Sequence, residues 1–433
     1  MPSLKERNIF VVPTEDVTGH QDEYLVYAPL ADSMTLASIE ECRTLEEAAL
    51  HPQEASEEMT QTLDLLSDGV PAAERDNAVH HTSDFLLLYV LPNLICNFSC
   101  SYCFSAKGRG KGVLRKDQLK AAIDWFIDPN RASSKKLAIS YLGGGEPTLS
   151  WDILKFGIEY GHRRAVRFGI HLYMTVVTNG SRITPEIVDT FSRCGVAARV
   201  SFEILEEIQN LQRAHYDDVC RGLTMLQDCA IPPMVRAMIT PDNVNLLEQM
   251  IEELHQKFPR VRQVLMDPIT SADTFHDVGM TRRFYDDYYN HFIPAYYLAE
   301  RYGIRLACAP LRNLEMVVER FCTGEFCLTP QGTITICHHV ASPKEKDYHD
   351  FQYAHIDDGT GKMVIDEDKF KELTQRSTVY SNPKCQDCFI KWNCGGGCLM
   401  QNMQYTPEIL DVICDFTRRF SKYFLLKRIE DDA

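Results

Sequence analysis

An α/β protein built around a parallel sheet is predicted by three observations. Between Asp84 and about Gly303, six apolar β-type runs alternate with amphipathic stretches, the pattern of strands joined by crossover helices. The acidic excess stands almost entirely before that region, where residues 1–84 hold 18 Asp and Glu against 4 Lys and Arg and so account for most of the net charge of −16. Beyond Arg305 the chain turns rich in Cys and Gly and poor in long periodic runs. The expected segments are therefore 1–83, a small α+β domain; 84–304, the parallel α/β region; and 305–433, a cysteine-rich domain with its core organised around metal.

In the first segment, short strands are expected at Asn8 to Val12, Glu23 to Leu30 and Met34 to Ala37. Helical stretches follow at Ile39 to Leu50 and Glu54 to Leu66, with apolar residues at three- and four-residue steps. The polar run Ser67 to Ser83, with Gly69 and Pro71, reads as a linker. In the second segment the strands are Phe85 to Leu91, Lys136 to Leu142, Ile170 to Thr178, Ala197 to Ile204, Met234 to Thr240 and Val261 to Ile269. Helices are expected over Lys116 to Phe126, Asp152 to Arg164, Pro185 to Arg193, Asp217 to Gln227 and Val244 to Phe258. In parallel α/β folds, ligands gather at the strand C-terminal ends.

Composition narrows the function. The start lacks the apolar core of a signal peptide and no later run approaches the ~18 apolar residues of a spanning helix, which points to a cytoplasmic protein without membrane contact. Sixteen cysteines without an export signal indicate metal or cluster ligation rather than a disulfide framework. The net negative charge excludes nucleic acid as a partner, since phosphates demand clustered Lys and Arg. The acidic N-terminal segment is either a solvated face or a surface that attracts a basic peptide.

The chemistry is carried by Cys96, Cys100 and Cys103 in Leu94-Ile-Cys-Asn-Phe-Ser-Cys-Ser-Tyr-Cys-Phe104. Four thiolates normally hold a four-iron cluster, so a C-x3-C-x2-C triad leaves one iron for another ligand. A zinc site is the other reading, but it favours C-x2-C pairs and leaves Cys96 unexplained. With Tyr102 just before the third cysteine, the spacing resembles the signature of the radical SAM (S-adenosylmethionine) superfamily. Six βα repeats then resemble that family's open six-unit barrel, a partial (β/α)6 fold. The second strand ends in Tyr141-Leu-Gly-Gly-Gly-Glu-Pro-Thr148, and Gly144, Gly145, Glu146 and Pro147 match the element that holds the SAM amino group in the family. The third strand ends in Thr178-Asn-Gly180. Ser201 and Glu203 on the fourth resemble the family's Ser-x-Asp element facing the ribose, with Glu one methylene longer. Alternation puts both on one strand face, where ordinary polar neighbours are the other reading. Arg213 stands where an arginine often meets the SAM carboxylate; a surface salt bridge is its alternative. The resemblance implies reductive cleavage of SAM to methionine and a 5'-deoxyadenosyl radical that takes hydrogen from substrate, with a flavodoxin or ferredoxin as electron donor.

Seven further cysteines, Cys322, Cys337, Cys385, Cys388, Cys394, Cys398 and Cys414, are similar in order and spacing to the SPASM domain, which binds two auxiliary four-iron clusters. That likeness implies three 4Fe-4S clusters in all. Cys385, Cys388, Cys394 and Cys414 would complete one auxiliary cluster, and Cys322, Cys337 and Cys398 would hold three irons of the other. Its fourth ligand is Cys327, Cys308 or none, since the position used by some relatives is Met316 here. Of the cysteines left over, most are expected as small buried hydrophobes. His338 and His339 are expected at the surface.

Radical SAM enzymes with SPASM domains mostly modify ribosomally made peptides, and the N-terminal segment looks like the winged-helix domain that captures leader peptides. The function implied is a peptide maturase that joins a Cys sulfur to a carbon of another residue in a precursor peptide. The alternatives are an anaerobic sulfatase maturase, for which Asp267 is the candidate base, a carbon-carbon crosslinking or epimerising maturase, and a noncatalytic iron-sulfur peptide-binding protein.

Overall fold

In the computed structural model, residues 3–432 are described, apart from positions 68, 76–78, 133 and 377. Four of those positions fall in the expected linker 67–83, which to that extent lies outside the described residues. The N-terminal segment is a three-stranded antiparallel sheet, β1 (Phe10–Pro13), β2 (Glu23–Ala28) and β3 (Ser33–Ser38), in that order, followed by helices Ile39–Leu50 and Glu57–Ser67. A capping box starts the first helix: Ser38 accepts from the Glu41 amide while Glu41 accepts from the Ser38 amide. Strands precede helices, as the sequence indicated.

The second sheet has eleven strands. Its parallel centre comprises β4 (Leu87–Val90), β5 (Lys136–Tyr141), β6 (His171–Thr178), β7 (Val196–Ser201), β8 (Met234–Ile239) and β9 (Gln263–Pro268), paired in sequence order. Each of the six lies within two residues of its expected bounds at the start and three at the end. The crossover helices Lys116–Phe126, Trp151–Phe168, Pro185–Cys194, Tyr216–Leu226 and Leu247–Lys257 cover one face. Leu88, Val90, Ile139, Val200, Val235 and Val264 point to that face and are completely buried. Residues alternating with them, among them Tyr89, Ser140, Thr175, Arg199, Arg236 and Asp267, form the opposite, inner face.

Both edges of this sheet are completed from the C-terminal segment. β10 (Arg305–Ala307) adds a seventh parallel strand beside β9, and β11 (Phe326–Leu328) pairs parallel with β4 at the other edge. β12 (Thr333–Thr335), β13 (Gln352–Ile356) and β14 (Met363–Ile365) continue antiparallel. The reading of residues 305–433 as poor in long periodic runs is corrected here. Helix Pro407–Asp432 spans 26 residues and packs on helix Val278–Arg301, which spans 24. Phe416, Phe420 and Phe424 of the first helix meet Tyr285, Phe292 and Tyr296 of the second at ring-centroid distances of 4.7, 5.3 and 5.2 Å. An aromatic seam, independent of metal, thus belongs to the core of this segment. Among the described residues, no helix is long and apolar enough to cross a membrane.

Candidate active site and cluster-binding cysteines

The loop after β4 carries the triad. Its anchor is Asn93, whose side chain donates to the Glu146 carbonyl and to Ser150 Oγ, both at 2.9 Å, and accepts from the Ile95 amide at 2.9 Å. Gly145 lies directly under this loop: a Cβ there would stand 2.1 Å from the Ile95 carbonyl oxygen and 2.2 Å from Asn93 Oδ1. The missing side chain therefore admits the cysteine loop itself. Gly143 differs, since a Cβ there meets only Phe104 at 3.6 Å.

Glu146 is buried and ties three loops together. One carboxylate oxygen accepts from the Thr148 amide and hydroxyl and from Thr178 Oγ1, and the other from the Asn179 amide at 2.7 Å. Four of its sites are thus used by the protein, with room on the second oxygen for one more donor. Pro147 starts the short turn that follows. Asn179, through its amide, and Asn97 are bonded at 3.0 Å, which fixes the β6 end against the cysteine loop.

Within the triad, the Phe98 amide approaches Cys96 Sγ at 3.5 Å, and Arg109 Nη2 donates to Cys103 Sγ at 3.2 Å. Arg109 also donates to the Phe98 carbonyl, holding both ends of the turn. Cys96, Cys100 and Cys103 are all half-buried. Burial raises the pKa of Cys96 and Cys100, so a metal must displace protons to bind them.

β7 ends at Ser201, and the chain leaves the strand before Glu203. Sharing one strand face is therefore not what relates Ser201 to Glu203. Glu203 is completely buried; it accepts from the Tyr102 hydroxyl and, at 2.9 Å, from the Met238 amide. Arg213 donates to the same Tyr102 hydroxyl at 2.9 Å and lies 3.9 Å from the Glu203 carboxylate. Arg213 is thus in an interior ion pair rather than a surface one. Burial pushes the Glu203 carboxyl and the Tyr102 hydroxyl up, while the guanidinium opposes the shift in both.

The C-terminal cysteines lie in two neighbourhoods. Cys385, Cys388, Cys394 and Cys414 act electrostatically on one another. They come from the turn Pro383–Cys385, the helix Lys391–Cys394 and the long helix Pro407–Asp432. Cys322, Cys337 and Cys398 line one cavity with Gly324, Ile336, Phe351 and Met400. The divide between the groups is the turn Gly395-Gly396-Gly397, in which φ is positive at all three residues (60°, 79° and 79°). A Cβ on Gly395 would lie 2.4 Å from the Phe321 nitrogen, and the Phe321 amide donates to the Gly395 carbonyl at 2.7 Å. Glycine at this point lets the chain leave Cys394 with the quartet and deliver Cys398 beside Cys322. Burial pushes Cys322 and Cys385 up to about 11 and Cys394 up to about 12.

Neither suggested fourth ligand lines that cavity. Cys327 is completely buried in β11, packed with Leu91, Leu94 and Ala341, and Cys308 is buried ahead of helix Ala309–Asn313. Cys327 stands in register with Tyr89 on the inner face of the sheet. Among the described residues no three His, Cys, Asp or Glu side chains converge as ligands of a single metal ion do.

The surface reading of the two histidines is also corrected. The Glu325 carboxylate faces His338 Nδ1 at 2.7 Å and accepts from the His338 amide at 2.6 Å. His339 stacks on Phe104, the residue after the triad, at 4.0 Å, and burial lowers it to about 3. Sequence gave no partner for either because Glu325 becomes a neighbour only across the β11–β12 hairpin. Arg109 was missed as well; a cation six residues past Cys103 was the available signal.

Residues 90–256 match the Radical SAM superfamily model, and the chain carries a radical SAM domain. It is an enzyme on that account. A stretch of 124 residues is 25% identical to the radical SAM cyclopropyl synthase TigE of Paramaledivibacter caminithermalis, and the chain spans only 25% of that relative's length. Two solved structures share the fold. Native anSMEcpe with bound AdoMet and Cp18Cys peptide matches with a TM-score of 0.65 at 16% identity, over 80% of this chain and 98% of that one. Streptococcus suis SuiB bound to precursor peptide SuiA matches with a TM-score of 0.52 at 14% identity, over 93% and 97%.

Proposed function

We propose that the protein is a cytoplasmic radical SAM peptide maturase with three 4Fe-4S clusters, forming a thioether between a Cys sulfur and a carbon of a ribosomally made precursor peptide. The observation that carries this reading is the sorting of ten cysteines into a triad beside the parallel sheet, a mutually interacting quartet and a trio around one cavity. Cluster and SAM, when bound, supply reductive cleavage of SAM and a 5'-deoxyadenosyl radical that takes a hydrogen atom from substrate. The chain's own residues shape that site. Asn93, Gly145 and Glu146 fix the cysteine loop, and Gly143 and Gly144 leave backbone groups near SAM. Glu203, Arg213 and Tyr102 form one buried unit beside Cys100, with Ser201 at the strand end nearby. His339 stacks on Phe104 and so joins the loop of the triad to the stretch after Cys337.

Thioether formation removes one C–H and one S–H and gains one C–S bond, a two-electron oxidation. One hydrogen atom leaves as 5'-deoxyadenosine; the remaining electron requires a one-electron acceptor of the iron-sulfur class, and the proton a base or water. The similar folds solved with peptides, SuiB with SuiA and anSMEcpe with Cp18Cys, support a peptide substrate. The N-terminal sheet and its two helices are proposed to capture the leader, in a winged-helix-like domain over residues 1–83, and a flavodoxin or ferredoxin to supply the electron.

A second reading, oxidation of Cys or Ser to formylglycine, is favoured by one placement. Asp267 stands at the end of β9 on the inner face, buried, 3.2 Å from Arg236 Nη2 and accepting from the Ala309 amide at 2.8 Å. Mass spectrometry of a Cys-rich peptide encoded beside the gene, after coexpression, separates the two. A product that keeps its sulfur and loses two hydrogen atoms supports the thioether; loss of sulfur with gain of an aldehyde contradicts it.

A further inference from the structure

Among the described residues, the inner face of the sheet holds a cation, Arg199, that the protein does not answer. Arg199 points inward from β7, in register with Val177 of β6 and Met234 of β8, and is partly buried. Arg199 shares this inner face with Tyr89 of β4 and with Arg236 of β8, and acts electrostatically on Tyr89. Three carboxylates lie around this space, and each is taken. Glu203 meets Tyr102 and Arg213, Asp267 meets Arg236 and the Ala309 amide, and Glu325 meets His338. Among the described residues Arg199 has no hydrogen bond and no ion pair, though its guanidinium carries five donors. Leaving such a charge partly buried and unmatched is unfavourable unless a ligand or water completes it.

The space is also open to a ligand. The Arg236 side chain, on the neighbouring strand of the same face, is 46% exposed despite its ion pair. Tyr89 stacks on His338 at 5.7 Å, and His339 on Phe104, which follows Cys103. A group bound at Arg199 therefore lies on the same sheet face as Tyr89, whose ring meets His338.

We propose that Arg199, with Tyr89 on the same inner face, forms a carboxylate-binding subsite for an Asp or Glu side chain or the C-terminal carboxylate of the peptide substrate. The proposal rests on the peptide-maturase reading and specifies its substrate as acidic near the modified residue. Arginine suits the role because its planar fork matches a carboxylate with two parallel hydrogen bonds. The chain as a whole is strongly acidic, so its long-range field disfavours acidic peptides, and any preference for them must come from a local contact.

The test uses reconstituted full-length protein with SAM and without reductant, so that binding is read without turnover. An equimolar pool of random heptapeptides, each with one Cys, is incubated with the protein, and retained peptides are identified by mass spectrometry after ultrafiltration. The wild type is expected to retain peptides bearing Asp or Glu about tenfold over their Asn or Gln counterparts, the discrimination of one charge-assisted contact. Arg199→Gln is expected to abolish the preference with iron content and SAM affinity intact, Arg199→Lys to keep part of it, and Tyr89→Phe to weaken it. No acidic preference in the wild type, or one unchanged in Arg199→Gln, overturns the subsite. Loss of SAM affinity in Arg199→Gln with peptide discrimination unchanged assigns the arginine to SAM's carboxylate and also overturns it. Retention of no peptide at all contradicts the maturase reading itself.

Discussion

Single side chains set the chemistry of the triad. Arg109 donates to Cys103 Sγ at 3.2 Å, and a cationic donor to a cluster sulfur favours the reduced, more negative state. Replacing Arg109 with Met is expected to lower the reduction potential of the bound cluster by about 59 mV, a tenfold shift in its one-electron equilibrium. Redox titration followed by electron paramagnetic resonance reads this directly, and an unchanged potential assigns Arg109 to loop geometry alone. Gly145 presents a steric prediction: with the Ile95 carbonyl 2.1 Å from its notional Cβ, Gly145→Ala should cost about 1–3 kcal/mol and weaken SAM binding, while Gly143→Ala should do neither. Differential scanning calorimetry and equilibrium dialysis check the pair. At this scale the sequence was informative about which residues matter and less so about whom they touch. Glu146 stood out in its motif, yet its partners Thr178 and Asn179 come from the next βα unit. Glu203 and Arg213 read as separate contacts, although Tyr102 joins them in one buried unit, because a strand's end cannot be located to the residue from alternation alone.

The elements were legible wherever a period ran long enough. Helix Lys116–Phe126 has the expected bounds, and the six central strands were marked by their apolar runs. β10 and β11 escaped notice because strands of three residues carry no period, and their place at the sheet edges is a tertiary fact. The helix Pro407–Asp432 did carry a signal, in Val412, Phe416, Phe420 and Phe424 at four-residue steps, masked by attention to Cys414 between them. Phe420→Ala, which removes a completely buried ring, should cost about 3–5 kcal/mol and lower the thermal midpoint even in metal-free protein. A midpoint unchanged in the metal-free form would show that clusters alone order this segment. The buried thiols add a pH effect of definite sign. Their folded pKa values lie above the ordinary thiol value of about 8.5, so the stability they contribute is complete below that pH and is lost as pH rises toward about 11 or 12. The thermal midpoint of metal-free protein should therefore fall between pH 8.5 and 11, and less steeply in a Cys322→Ala, Cys385→Ala, Cys394→Ala variant.

Across the whole molecule, the N-terminal sheet is joined to the C-terminal segment next to Cys394. Tyr27 donates to Asn393 Oδ1 at 2.9 Å, one residue before Cys394, and Asn393 in turn donates to the Met316 carbonyl at 2.9 Å. Trp392 donates to Asn8 Oδ1 at 2.9 Å, and Lys422 donates to the Pro13 carbonyl and to Asp16. The first segment is thus fixed against the residues around Cys394 by direct contacts, to which Arg75 adds one over the Trp392 ring. The acidic surface of that segment was visible in composition, but its docking site was not, since Tyr27 and Asn393 are 366 residues apart. On the proposed function, the ten cysteines are expected to hold three clusters and the triad to support SAM cleavage. The most direct measurement is anaerobic reconstitution with an iron count and an assay of the reduced enzyme for 5'-deoxyadenosine. About 12 irons per chain are expected, four in each of three clusters. Cys96→Ala should keep the auxiliary irons and lose 5'-deoxyadenosine, whereas Cys394→Ala should lose the irons of the quartet. About four irons in the wild type would contradict the C-terminal assignment, and full loading without SAM cleavage would contradict the catalytic one.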